Sequence, residues 1–250
     1  MYSTNVQEIK EFLKGDYTLR DGKVFFVEPP KDTELQPEEQ RWTRWKKSNL
    51  AYFKEKLANE YESKIILDLG AGGAPFREIL ARFERVIGID FYPYRHVALV
   101  SDLTKPLPLK SATIDIVFMS NVLEHIPTPI ELLSECCRIL KPGGYIVATV
   151  PFLVSIHRAP YDFHRYTNFM LERMLREAGF KEIKVEPLGS PLHVYETIQR
   201  QFFSKIPETR RARLWKKTAL WIFYFFGKFL GPLPPHPAYT QGYGFYAKKL

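Results

Sequence analysis

Cysteine is almost missing from this chain of 250 residues; the only two, Cys136 and Cys137, are adjacent. Neighbouring cysteines cannot staple a disulfide fold, and no CxxC pair offers a thiolate metal site. Such usage suits a reducing compartment. The N-terminus, MYSTNVQEIKEF, has no basic stretch followed by an apolar run, so no secretory leader is expected. Long hydrophobic runs are also missing. The most apolar, Thr218–Gly227 (TALWIFYFFG), has ten residues, against the roughly 20 that a bilayer-spanning helix needs. An excess of either charge is absent from most of the chain. Residues 201–250 hold nine of the 36 Lys+Arg and one of the 28 Asp+Glu, Glu208, so the first 200 residues carry 27 of each sign. The whole net charge of +8 lies in the last fifth, beside 13 of the 37 aromatics. A nucleic-acid binder would spread or interleave its charge, so no nucleic-acid partner is expected. The location implied is a bacterial or archaeal cytoplasm, peripheral at the inner face of the cell membrane if the basic segment docks there.

What is present is a core. Hydrophobic residues make up 45% of the chain, enough for one large domain with an appendage. Residues 1–40 read as irregular, and Arg41–Leu57 as a helix carrying Trp42, Trp45, Tyr52 and Phe53 at helical spacing. Continuous apolar runs at Lys64–Leu69 (KIILDL), Arg85–Asp90 (RVIGID), Ile114–Met119 and Tyr145–Val150 read as strands buried on both faces. His96–Val100, Phe180–Pro187 and Tyr243–Lys248 complete a set of seven. Helices are expected at Phe76–Phe83, Pro129–Leu140, Asn168–Ala178 and within 190–231, and a turn at Lys141–Gly144 (KPGG). Strands alternating with helices imply an α/β, doubly wound sheet.

In such a sheet the ligand sits at the carboxyl ends of the strands. The first strand there ends in Asp68-Leu69-Gly70-Ala71-Gly72-Gly73, and the second ends at Asp90, 22 residues past Asp68. Glycines let backbone approach a ligand, and an acid about 20 residues on is where a ribose diol is held. A dinucleotide reading of the loop fails, because the last glycine of GxGxxG counted from Gly70 is Pro75. Asp68 would also repel a diphosphate. An NAD(P)-dependent oxidoreductase is therefore disfavoured.

The segment Ile66–Ala74 (ILDLGAGGA) resembles motif I of class I S-adenosylmethionine-dependent methyltransferases. Asp90, Ser101-Asp102-Leu103, Ile114–Ile126 (IDIVFMSNVLEHI) and Lys141–Gly144 resemble their later motifs, in order, and point to the small-molecule branch that includes quinone-biosynthesis enzymes. The third glycine of the family's DxGxGxG is Ala74 here. The resemblance implies a Rossmann-like seven-stranded sheet with the last strand antiparallel, and S-adenosylmethionine as cofactor. It implies that Asp68, Gly70, Ala71 and Gly72 hold the methionine end. Asp90 would hold the ribose, with Phe91 a further cofactor contact, Asp102 and Leu103 would hold the adenine, and Asn121 would lie near the sulfonium. His125 reads as a packing or capping residue. The DNA- and glutamine-modifying branches carry (D/N)PP(Y/F) where this chain has Ser120-Asn121-Val122-Leu123, which disfavours amino-group methylation of bases.

After the fifth strand comes Pro151–Thr167, PFLVSIHRAPYDFHRYT, with seven functional side chains within ten residues. Similar methyltransferases carry HRxPxDxxRYT here, and many are thought to serve glycan or lipid-glycan pathways. His157 or His164 is the expected base, with Asp162 orienting it. Arg158 and Arg165 are expected to clamp an anionic group on the substrate, with Tyr161 and Tyr166 as further substrate contacts. Metal binding by His157, Asp162 and His164 is the rival reading; their spacing matches no strong metal pattern, so no metal is expected.

Within 208–230, Arg210, Arg213, Lys217, Tyr224 and Lys228 share one helical face. Leu214, Trp221, Ile222, Phe225, Phe226 and Phe229 form an apolar arc. That pattern suits a helix in a membrane interface, or one packed on its own sheet or in a homodimer. The expected organisation is an N-terminal helical lid over 1–60, a cofactor-binding core over 61–189, a basic, aromatic helical insertion over 190–242 and a last strand over 243–250. The expected function is methyl transfer to oxygen on a small-molecule or lipid/glycan-linked acceptor. A non-catalytic cofactor-binding protein docking at a membrane or partner is the alternative.

Overall fold

In the computed structural model, the residues described are 6–29, 43–206 and 233–250, together with single positions at 209, 215, 218, 219, 221 and 225. The chain opens with α1 (Val6–Ile9), β1 (Thr18–Arg20) and β2 (Lys23–Phe25). There follow α2 (Arg44–Leu57), β3 (Ile65–Leu69), α3 (Arg77–Leu80), β4 (Arg85–Asp90), β5 (Leu99–Val100) and β6 (Ile114–Ser120). The second half holds α4 (Pro129–Ile139), β7 (Leu140–Pro151), α5 (Asn168–Glu177), β8 (Lys181–Leu188), α6 (Pro191–Lys205) and β9 (Gly242–Lys248). Most of the 208–230 segment, including its basic face, lies outside the described residues. Among the described residues no helix is long and apolar enough to cross a membrane.

The strands form one sheet in the order β1-β2-β5-β4-β3-β6-β7-β9-β8. From β2 to β7 neighbours run parallel, and β9 runs antiparallel to both β7 and β8. Seven strands make the expected doubly wound sheet. The other two correct the expectation of an irregular start. β1 and β2 form a hairpin whose two turn residues, Asp21 and Gly22, have φ of 49° and 72°. Both angles are what a tight hairpin turn requires, and Asp-Gly is a preferred pair there. β2 then adds to the edge at β5.

Side-chain alternation divides the core. Leu67, Leu69, Val117, Met119, Ile146 and Ala148 face α4 and α5, through Leu132, Leu133, Cys136, Leu171 and Met174. Their neighbours Ile66, Ile116, Phe118 and Val147 face the other way, against Tyr52, Phe53 and Leu57 of α2 and against Phe76, Leu80 and Phe83 around α3. A residue shift in either strand would exchange the two faces, so the register is strongly specified. Within the segment expected to be a lid, α2 thus contributes a core layer. The expected KPGG turn is instead an irregularity inside β7, whose register with β6 shifts between Ile114 and Ile116. Gly143, at φ 79°, donates its N–H to Lys249 O at 2.8 Å, so the bulge is held by the last strand's end.

Candidate active site

The site forms where β3, β4 and β6 end. Gly70 N–H and Ala71 N–H both donate to Ile89 O, at 2.8 and 3.1 Å, which folds the glycine loop across the end of β4. Gly70 has φ 73°, and a Cβ on it would collide with Val122 Cγ2. Only glycine meets both conditions. At Gly72 a Cβ would find its nearest neighbours at 3.9 Å or beyond, so the loop leaves room on its outer side. Gly72 N–H donates to Asp90 Oδ2 at 2.9 Å and Tyr92 N–H to Asp90 Oδ1 at 3.0 Å. Burial pushes the Asp90 carboxyl above its ordinary range, against the pull of these N–H groups and of the Arg158 charge. Asp68 is buried at the end of β3, Ala71 is buried beneath the loop, and Phe91 packs edge-on against Tyr92 at 5.2 Å. A half-buried acid at a strand end, beside an open glycine loop, fits the adenosyl ligand expected from the sequence.

The other expected cofactor contacts are less uniform. Asp102 Oδ1 accepts from Thr104 N–H and Oγ1, at 2.9 and 2.7 Å, which makes it a loop cap as well as a neighbour of the edge. The Leu103 side chain is buried in the main core. Asn121 follows β6 in the left-handed region, at φ 53°, with its N–H on Thr149 O at 2.9 Å. Its Oδ1 accepts from Trp45 Nε1 at 3.0 Å. Trp45, from the first turn of α2, was not anticipated as a site residue; an indole reaching across the carboxyl edge is visible only once α2 is placed.

The loop 151–167 is ordered around Arg165 and Asp162. The Arg165 guanidinium donates to Asp162 Oδ1 at 2.6 Å and Oδ2 at 2.7 Å, and also to His164 O at 2.7 Å and Ser155 O at 3.1 Å. Bidentate pairs of this kind fix geometry as well as charge. Burial alone would raise the Asp162 carboxyl, but Arg165, the His157 N–H and the His157 charge hold it at about 2. Asp162 receives that N–H at 2.8 Å. Arg165, expected on substrate, clamps its own loop in this structure. Tyr166 likewise faces inward, its buried hydroxyl donating to Leu123 O at 2.8 Å. His164 turns to Pro127 O, Nε2 at 3.3 Å, and stacks near Tyr166. Among the described residues it joins no ligand cluster with His157 and Asp162. Arg158, at φ 52°, and Tyr161 remain exposed.

His157 meets a different partner. Its Nε2 lies 3.6 Å from Glu124 Oε1, and His125 Nε2 lies 3.7 Å from the same oxygen. The Glu124 side chain is fully buried. Among the described residues neither of its oxygens has a hydrogen-bond partner. The two imidazoles meet edge to face, 5.1 Å apart. The Glu124 carboxylate pushes the His157 imidazole up from its ordinary value, against partial desolvation. The loop docks on this turn through Phe163 N–H and His164 N–H, both donating to Glu124 O. From the sequence a glutamate in a short turn reads as surface, and Glu124 is not singled out there. The hint available was its place between Leu123 and Ile126, both of which are buried.

Comparison with known proteins agrees. The family model described as a methyltransferase domain matches residues 67–148. A Mycolicibacterium smegmatis protein, named as a probable S-adenosylmethionine-dependent methyltransferase, is 26% identical over 160 residues, covering 58% of this chain and 61% of its own length. A ubiquinone biosynthesis O-methyltransferase of Chromobacterium violaceum is 30% identical over 187 residues, covering 60% of this chain and 79% of its own. The chain thus spans about three fifths of the first relative and four fifths of the second. The crystal structure of a SAM-dependent methyltransferase from Archaeoglobus fulgidus has a TM-score of 0.53 at 21% identity, covering 83% of this chain and 95% of that one, a likeness of fold. Since the matched domain contains the glycine loop and Asp90, and one relative is matched over most of its length, the chain belongs to the S-adenosylmethionine-dependent methyltransferases.

Proposed function

We propose that the protein transfers the methyl group of S-adenosylmethionine to an oxygen of a small hydroxylated acceptor, free or carried on a lipid or glycan. The cofactor supplies a methyl already activated on sulfonium. What remains for the chain is to hold the acceptor in line and deal with its proton. Asp90 and the glycine loop are assigned to the cofactor. The acceptor side is assigned to loop 151–167.

The observation that carries this reading is the position of His157. Its imidazole faces the buried Glu124, while the charge of its neighbour Arg158 reaches Asp90. One loop therefore links a basic group to the cofactor edge. The Glu124–His157 pair can draw the proton from an acceptor hydroxyl, and exposed Arg158 and Tyr161 can meet the acceptor's remainder. The relative named as a ubiquinone biosynthesis O-methyltransferase supports oxygen as the target. The test is turnover with trideuteromethyl cofactor and a panel of catechols, sugars and amines, with the label located by mass spectrometry. Label on oxygen is expected, and label on nitrogen or carbon would refute the reading.

A further inference from the structure

Glu124 Oε1, His125 Nε2 and His157 Nε2 lie within 4.8 Å of one another. The second nitrogen of each imidazole is already committed. His125 Nδ1 is 2.5 Å from Tyr161 O. His157 Nδ1 is 3.3 Å from Ser155 O and 3.4 Å from Asp162 Oδ2, with Arg165 Nη2 farther off at 3.5 Å. A carbonyl can only accept, so each Nδ1 carries a proton, and in the neutral imidazole each Nε2 presents a lone pair. Three acceptor atoms then converge, one on a fully buried side chain that has no hydrogen-bond partner among the described residues. Such an arrangement is costly unless a positive charge, a proton on His157 or a cation, lies between them. Imidazoles that donate Nδ1–H to a carbonyl and offer Nε2 are in the orientation that metal-ligating histidines adopt.

We propose that Glu124, His125 and His157 bind a divalent transition-metal cation, leaving a coordination position for the acceptor's oxygen. Two histidines and one carboxylate form a catalytic zinc-type donor set, with bonds of about 2.0–2.2 Å and ligand atoms about 3.3 Å apart in a tetrahedral site. The observed 3.6 and 3.7 Å from Glu124 Oε1 require a contraction of a few tenths of an ångström, and the two Nε2 atoms lie within 4.8 Å of each other. His157 is the most exposed of the three side chains, at 36%, so the cluster opens to solvent on its side. The catalytic role rests on the proposed oxygen transfer and deepens it. An acceptor hydroxyl bound to the cation releases its proton to water, so the Glu124–His157 pair no longer has to accept it. The oxygen's lone pair then forms the C–O bond as the C–S bond breaks, leaving neutral S-adenosylhomocysteine.

The test is calorimetric titration of the chelator-treated full chain with Zn²⁺, repeated with Co²⁺ read by its visible spectrum. One equivalent is expected to bind. Glu124→Gln and His157→Asn should each weaken it at least 10-fold, while His164→Asn leaves it unchanged. S-adenosylhomocysteine binding should persist in both ligand variants, as proof that they are folded; should Glu124→Gln fail to fold, His157→Asn at the more exposed ligand decides. Absence of Zn²⁺ binding, or wild-type affinity in the ligand variants, would overturn the inference even if oxygen methylation is found. Zn²⁺ bound as expected with the label on nitrogen would instead refute the functional reading and leave the cation site standing.

Discussion

Replacing Gly70 by alanine tests the glycine loop through two separable penalties. The residue sits at φ 73°, where a Cβ costs about 1–2 kcal/mol. The same Cβ would collide with Val122 Cγ2 and stand 3.2 Å from Cγ1, an overpacking of about 1–3 kcal/mol. Together Gly70→Ala should destabilise by about 2–5 kcal/mol, which lowers the melting temperature of a chain this size by roughly 4–20 °C. Only the second penalty depends on Val122, which is 7% exposed. In a double-mutant cycle with Val122→Ala the two changes should therefore couple favourably by about 1–3 kcal/mol, leaving the backbone penalty in place. Urea unfolding of the four proteins measures this. A Gly70→Ala variant within about 0.5 kcal/mol of wild type, or a coupling near zero, would refute the reasoning.

Arg165→Lys keeps the charge but loses the two-pronged contact with Asp162; limited proteolysis should cut loop 151–167 faster, and kcat/KM for the acceptor should fall while S-adenosylhomocysteine affinity holds. Tyr166→Phe removes one buried hydrogen bond to Leu123 O; it should cost about 1 kcal/mol in chemical denaturation and leave the acceptor KM unchanged. Asp162 is held at about 2, below its ordinary value of about 3.9. A folded value below the unfolded one stabilises at neutral pH, and the gain is lost as pH falls from about 4 towards 2. Urea midpoints measured across that window should drop less steeply for Asp162→Asn than for the wild type.

The central strands were legible because burial on both faces leaves unbroken apolar runs at β3, β4 and β6. The cofactor edge was legible because it depends on spacing along the chain: Asp90 ends the strand after the glycine loop. Short pairings were harder to see. β1 and β2 have three residues each, too few for a periodic signal, although Asp21-Gly22 was a hairpin mark in plain view. The loop 151–167 is hard to read for a different reason. Arg165 and Tyr166 are residue types that bind ligands, yet both fold inward because the loop must satisfy its own carbonyls. The direction of a loop side chain follows from tertiary contacts, and Glu124 was hidden by the same fact in reverse.

The division between a cofactor edge at Asp90 and an acceptor side at His157 is tested most directly by calorimetry with S-adenosylhomocysteine on wild type, Asp90→Asn and His157→Ala. One molecule per chain should bind the wild type. Asp90→Asn exchanges a charged acceptor for a neutral amide and should lose about 10- to 100-fold in affinity, whereas His157→Ala should bind as the wild type does. Full affinity in Asp90→Asn, or an equal loss in His157→Ala, would contradict the account.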